Sequence, residues 1–203
     1  MKYPFFASFI VLCLLLMYEI HKVRNKEAKI YQSFLDEETK ANNTRKQSLD
    51  NLEYIKIPIS SLPVETLDSD EKVKEFIETL TILSSEKIVN FTGFSNTELK
   101  MQYGAANLEI LSRYDNAYTS LVRTLNAWGH YLYEKDYVSE AQSVLEYAIS
   151  IHSDIGATYD LLSKIYLESN HPEKIKELIP VASEINSLSR NNIVKKLESY
   201  TIS

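Results

Sequence analysis

Apolar residues in the second half of the chain recur every three or four positions, which predicts a series of amphipathic α-helices. The pattern then repeats after thirty-four residues. The first set is Trp128-Gly129, Leu132, Ala141, Leu145 and Ala148, and the second is Leu162-Ser163, Tyr166, Ile175, Ile179 and Ala182. A period of about this length, carried by paired helices, is typical of stacked helical hairpins that serve as binding surfaces.

Small residues alternate with large ones within each set, which gives the spacing a physical reason. Two antiparallel helices approach closely only where side chains are small, as at Gly129 and Ala141, while Trp128 and Leu145 fill the volume between them. The same alternation of small and large residues also occurs in ordinary helical bundles, which is the alternative interpretation. The pattern predicts two hairpins, at about residues 121–154 and 155–188.

The spacing resembles the tetratricopeptide repeat, which wants a large residue, Leu-Gly and an aromatic on its first helix, then Ala, a large apolar residue and Ala on its second. The first unit fits at Leu125, Trp128, Gly129, Leu132, Ala141, Leu145 and Ala148. The second unit departs at Ser163 and Ile175, and Ser153 and Ser187 stand where the family prefers proline. The resemblance covers residues 121–188 and implies a short right-handed solenoid whose concave groove binds a protein or peptide.

Residues outside the repeats extend the predicted helical domain over residues 54–203. Residues 54–59 alternate and contain Pro58, which predicts an extended segment. Capping boxes at Asp68 and Ser95 each predict the start of a helix, the second a long helix reaching Tyr114. The closing segment, Ile185 to Tyr200, has the apolar spacing of a capping helix that covers the open end of the repeats.

The stretch from Tyr3 to Tyr18 is apolar and carries no charged residue. It predicts a single transmembrane anchor in residues 1–21 that contacts the membrane through residues 3–20, followed by a charged juxtamembrane helical linker in residues 22–53. A cleaved signal peptide is disfavoured because no small residues come after the stretch. The cations beyond it lean towards a cytoplasmic position for the rest of this single-pass protein, although short amino termini also commonly export the carboxyl-terminal portion. These cations are Lys22, Arg24, Lys26 and Lys29.

Composition and charge narrow the classes of function. The chain has 203 residues, 44% of them hydrophobic, with a formal net charge of −6. The first 30 residues carry five Lys or Arg against two Glu, so the remainder is more acidic than the whole. An acidic body disfavours a nucleic-acid partner, since a phosphate backbone demands clustered cations. The sole cysteine, Cys13, leaves no thiolate metal cluster.

A polar stripe lies beside the packing stripe of the first repeat helix and predicts the binding groove. It matches positions that line the concave groove in the repeat family, and the second unit supplies equivalents. The predicted groove residues are Arg123, Asn126, His130, Tyr133 and Glu134, with Asp160, Lys164 and Glu168. Such side chains can hydrogen-bond the backbone of an extended peptide or grip an acidic end. A solvent-exposed helix face is also polar without any binding role.

Catalytic motifs are missing from the sequence. There is no HExxH pair, no glycine-rich phosphate loop and no nucleophile elbow. His130 and Glu134 stand four residues apart and could act as base and orienter, but that spacing is also an ordinary surface pair. We therefore expect no catalytic residues, metal, cofactor or small-molecule substrate. The predicted function is a membrane-tethered adaptor that binds a protein or peptide; the alternatives are a structural subunit of a larger membrane complex and, third, an enzyme.

Overall fold

The computed structural model describes residues 4–201, with side chains from residue 9 onward. Over these residues the chain is helical and has no strand, as the all-α prediction required, apart from one antiparallel bridge between Ile55 and Ile88. Two short 3-10 turns, Ile59–Ser61 and Ala105–Asn107, accompany the helices. The helices are α1 Pro4–Asn42, α2 Glu71–Ser84, α3 Asn96–Tyr103, α4 Leu108–Glu134, α5 Val138–Ser150, α6 Gly156–Glu168, α7 Glu173–Ser183 and α8 Arg190–Thr201.

The prediction of a transmembrane anchor in residues 1–21 is wrong, because no helix among the described residues is both long and apolar enough to cross a membrane. The apolar stretch belongs to α1, which continues to Asn42 and acquires Glu19, Lys22 and Arg24 within little more than a turn. A span needs about 20 consecutive apolar residues. The first three residues of the predicted anchor lie outside the described part of the chain.

Three further expectations depended on that anchor and are not supported either. They are the single-pass location, the membrane contact of residues 3–20, and the lean towards the cytoplasm drawn from the cations after the apolar stretch. The linker predicted for residues 22–53 is helical as far as Asn42, where α1 ends, but no spanning helix precedes it among the described residues.

The chain forms two compact units, one of Met1–Gln47 with Asn96–Leu108 and one of Ser48–Ser95 with Glu109–Ser203. In the first unit α3 packs against the carboxyl-terminal part of α1. Glu38 of α1 forms an ion pair with Lys100 and accepts a hydrogen bond of 2.7 Å from the Thr97 hydroxyl. These two contacts hold the pKa of the Glu38 carboxyl below its usual value.

The long helix predicted from Ser95 to Tyr114 is interrupted. Helix α3 ends at Tyr103 because Gly104 has a φ of +89°, a left-handed conformation that cannot continue a right-handed helix. The side-chain amide of Asn107 then donates to the Tyr103 carbonyl at 2.7 Å, which satisfies a carbonyl left open at the helix end. Gly104 and the 3-10 turn Ala105–Asn107 therefore separate α3 from α4, which periodicity alone had joined.

The N-cap of α2 lies two residues after the predicted cap at Asp68. Asp70 is the N-cap, and its Oδ1 accepts from the Lys72 and Val73 amides at 2.9 and 3.2 Å. Its Oδ2 accepts from the Tyr131 hydroxyl of α4 at 2.8 Å. The hydrogen bond from Tyr131 is the main reason that the pKa of Asp70 lies below its usual value. This carboxylate therefore caps α2 and ties it to α4.

Helices α4 and α5 form one hairpin, and α6 and α7 form the next pair. The turn after α4 has Asp136 at a φ of +65°, and the turn after α6 has Asn170 at +61°, thirty-four residues later. In each turn an amide donates to a carbonyl five residues back, from Tyr137 to Leu132 at 3.0 Å and from His171 to Tyr166 at 2.8 Å. The period read from apolar residues thus returns as a repeated helix-terminating turn.

The core of the second unit contains residues from α2 and from each of the helices α4 through α8. Trp128 is fully buried, and its neighbour Gly129 lies against Leu145 of α5. A Cβ built on Gly129 would be 2.6 Å from Leu145 Cδ2, so a larger residue would force this contact to shift. Helix α8 packs on α6 and α7 and buries Ile193 and Leu197, the placement expected of a capping helix.

Candidate protein-binding cleft

A cleft of about 550 Å³ lies between α4, α6 and α8. Five of the eight predicted groove residues line it: His130, Tyr133, Glu134, Asp160 and Lys164. Residues four apart on α4 and on α6 present the same face of each helix, which is why the two polar stripes meet here. The structure therefore brings together most of the set chosen from sequence.

Tyr133 and two residues of α6 form a fixed group at one end of the cleft. The Tyr133 hydroxyl donates to the Glu168 carboxylate, with distances of 2.8 and 3.0 Å to its two oxygens. Lys164 Nζ lies 4.9 Å from the centre of the Tyr133 ring and 3.8 Å from Glu168 Oε1. Its contacts with Tyr133 and Glu168 raise the pKa of Lys164. Glu168 does not line the cleft itself, but it contacts two residues that do, Tyr133 and Lys164.

Helix α8 contributes to the other side of the cleft. Its Lys196 forms an ion pair and hydrogen bond with Asp160 of α6, which raises the pKa of the lysine. Tyr200, at the end of the same helix, lines the cleft directly. The position of the Asp160 carboxylate is consequently set by a residue thirty-six positions away in the chain.

His130 and Glu134 have no ion pair among the described residues. His130 Nε2 is buried and has no hydrogen-bond partner in that part of the chain. Glu134 is exposed, and no ion pair to it is found there. No hydrogen bond joins the two residues within the described part, so the base-and-orienter pair considered from sequence is not assembled. Glu134 is open to an external group, whereas the buried Nε2 of His130 is not.

Besides Glu168, two predicted groove residues lie outside the cleft lining. Asn126 is half-buried, and its Oδ1 accepts a hydrogen bond of 3.0 Å from the Thr158 hydroxyl, which ties α4 to α6. Arg123 is exposed, one turn further from the cleft. Periodicity placed both on the polar face of α4, but it could not tell an inward contact between helices from a solvent-exposed side chain.

Sequence reasoning missed the apolar residues of the cleft, namely Ala157, Leu161, Leu167 and Tyr200. One of them carried a usable signal, because Leu167 lies thirty-four residues after Tyr133, the same offset that gave Lys164 from His130. Leu167 is 43% exposed, whereas Leu161 is buried. Tyr200 belongs to the capping helix and had no such signal.

A second cleft of about 530 Å³ lies elsewhere in the same unit, between the extended segment, the connector before α3 and the ends of α5 and α7. Gly93, between the lining residues Thr92 and Phe94, has a φ of +87°, and a Cβ there would be 2.0 Å from the Asn186 carbonyl oxygen. None of the predicted groove residues lines it. Among the described residues, no group of His, Cys, Asp and Glu side chains could hold a metal ion.

Comparison with known proteins adds no assignment. No family model, no curated protein and no solved structure matches this chain. The likeness to the tetratricopeptide repeat therefore rests on the residue pattern alone, and function has to be argued from the cleft.

Proposed function

We propose that this chain is a helical adaptor that binds a segment of another protein in the cleft between α4, α6 and α8. The observation that carries the proposal is Leu167, a large apolar side chain left 43% exposed inside a concave site. Peptide-binding grooves combine apolar contact area with a few placed polar groups. Here Leu161 and Leu167 supply the apolar contact area, and Tyr133 and Asp160 supply the polar groups.

The polar groups of the cleft are already held in place, which favours binding. Tyr133 is fixed by Glu168, and Asp160 is fixed by Lys196. Immobilising a flexible side chain on binding costs about 0.5–1.5 kcal/mol, so groups ordered beforehand spare part of that cost. A partner segment would meet a cleft whose hydrogen-bonding groups need little rearrangement.

The test compares the same substitution at two exposed leucines. Leu167→Glu places a carboxylate on the apolar part of the cleft, whereas Leu188→Glu places it at a fully exposed position outside the cleft lining. A photo-crosslinking amino acid at Ala157, an exposed residue of the lining, reports what occupies the cleft in the native cell. We expect a discrete partner to be captured by the parent chain and by Leu188→Glu, and lost with Leu167→Glu, because desolvating a charge is costly.

Folding is checked by the fluorescence of Trp128, the single tryptophan of the chain, which is fully buried. A partner that is captured equally well by Leu167→Glu would contradict binding in this cleft. It would support the alternative role, a structural subunit that assembles through its outer surface. Asn126→Ala is unsuitable for this purpose, because Asn126 holds α4 against α6 and its loss would also loosen the domain.

A further inference from the structure

The charges of the cleft indicate what kind of segment it would take, on the premise that it binds protein as proposed above. Lys164 is matched by Glu168 and the Tyr133 ring, and Lys196 is matched by Asp160. Both cations near the cleft are therefore already engaged. The sequence had left open that the groove grips an acidic end, but no unmatched cation lines the described cleft to do so.

Glu134 is the carboxylate left over. It lines the cleft, is exposed and has no ion pair among the described residues. A partner cation placed there would gain a charge-assisted hydrogen bond without breaking an internal one. An arginine fork presents several donors in one plane and matches both oxygens of the Glu134 carboxylate.

The same cleft offers apolar contact area. Leu161 and Leu167 line it together with Glu134, and the Leu167 side chain is 43% exposed. His130 also lines the cleft, but its Nε2 is buried, so a donor from a partner does not reach that atom. The Glu134 carboxylate is therefore the unpaired charge that the described cleft offers alongside its apolar surface.

We infer that the segment bound in this cleft carries an apolar side chain beside an arginine or lysine. The apolar side chain covers Leu161 and Leu167, and the cation donates to the Glu134 carboxylate. The net charge of −6 works in the same direction, because an acidic protein attracts a basic segment during diffusional encounter. The inference names the chemistry of the partner at the proposed site and depends on that site being used.

The experiment uses a phage-displayed library of random dodecapeptides, selected on the full chain. Peptides enriched by the parent chain are synthesised with a fluorescent label and titrated by anisotropy against four variants: Glu134→Gln, Glu78→Gln, Leu167→Glu and Leu188→Glu. Glu78 is an exposed carboxylate of α2 that does not line the cleft, so it controls for general charge. Leu188→Glu is the matched control for Leu167→Glu.

We expect enriched peptides to carry Lys or Arg next to an apolar residue. Their affinity should fall about fivefold with Glu134→Gln, as for a partly exposed charge pair, and remain unchanged with Glu78→Gln. Added salt should weaken binding to the parent chain more than to Glu134→Gln, because salt screens the charge that the variant lacks.

The outcomes separate this inference from the proposed function. Peptides that lack basic residues, or that bind Glu134→Gln as well as the parent chain, overturn the inference. If Leu167→Glu still abolishes their binding, the cleft remains a binding site and the proposed function stands. Peptides indifferent to both Leu167→Glu and Glu134→Gln bind elsewhere, which contradicts both, and a library with no enrichment over a blank surface contradicts the inference.

Discussion

Gly129 offers the sharpest test of why the hairpin has its spacing. The residue lies inside α4, where glycine is unfavourable, and nothing in its backbone dihedrals requires glycine. What requires it is Leu145 of α5, whose Cδ2 and Cγ would lie 2.6 and 2.8 Å from an added Cβ. Real Cβ contacts are not that short, so Gly129→Ala must displace a fully buried side chain.

Two opposing effects set the magnitude. Alanine gains about 1 kcal/mol of helix propensity over glycine. Overpacking a close-packed core costs about 1–3 kcal/mol. We therefore expect Gly129→Ala to destabilise the domain by up to about 2 kcal/mol, although the same change in an uncrowded helix would stabilise it.

Removing the neighbour should reverse the sign. Leu145→Ala alone costs about 2–5 kcal/mol through the lost contacts and the cavity it leaves. In that background Gly129→Ala meets no clash and places a methyl group in the cavity, so we expect it to stabilise the domain by about 1 kcal/mol. The coupling between the two sites is then about 1–3 kcal/mol.

The assay is urea unfolding monitored by the fluorescence of Trp128, which neighbours Gly129 and is fully buried. Gly156→Ala is the matched control, because a Cβ there would meet its nearest neighbour, Ile193 Cγ1, at an ordinary 3.7 Å. If Gly129→Ala has the same effect with and without Leu145, or stabilises the parent chain, then close approach of α4 and α5 does not explain this glycine.

Two further predictions concern single side chains. Asp70→Asn should lower the urea midpoint at pH 7. This difference from the parent chain should shrink as the pH falls from about 5 through the lowered folded pKa of Asp70, because a carboxyl with a depressed pKa loses its stabilising effect on protonation. A difference that is unchanged at pH 3 would contradict this. Ser163→Ala should raise the urea midpoint, which corresponds to an increase of about 0.5–1 kcal/mol in the free energy of unfolding. The Ser163 hydroxyl is fully buried with no hydrogen-bond partner among the described residues, and alanine is the better helix former. A lower midpoint would show that the hydroxyl has a partner.

The N-terminal prediction failed for a reason that the length of α1 makes clear. An uncharged apolar stretch suggested a spanning helix by composition. In the structure that stretch continues without interruption into a charged helix ending at Asn42, and no part of the described helix satisfies both the length and the hydropathy of a span. Local composition identified a helix there correctly, but the charges from Glu19 onward leave its apolar part too short for a span.

The sequence by itself determined that the second unit is helical and that its pattern repeats after thirty-four residues, but not every helix boundary. Amphipathic spacing depends on residues three and four apart, and the turns at Asp136 and Asn170 depend on a few neighbouring backbone groups. These are local properties of the chain. The polar stripe of α4 came from the same periodicity, which is why most of the cleft residues were found.

Only the tertiary structure decided which of those polar residues are available to a partner. Asn126 is hydrogen-bonded to Thr158 and Lys164 is paired with Glu168, whereas Glu134 is exposed in the cleft without an ion pair among the described residues. Tyr200 enters the cleft from a helix that lies beyond both repeats in the chain. Such outcomes depend on how distant helices pack and which side chains then come within bonding distance, and a one-dimensional pattern does not contain those distances.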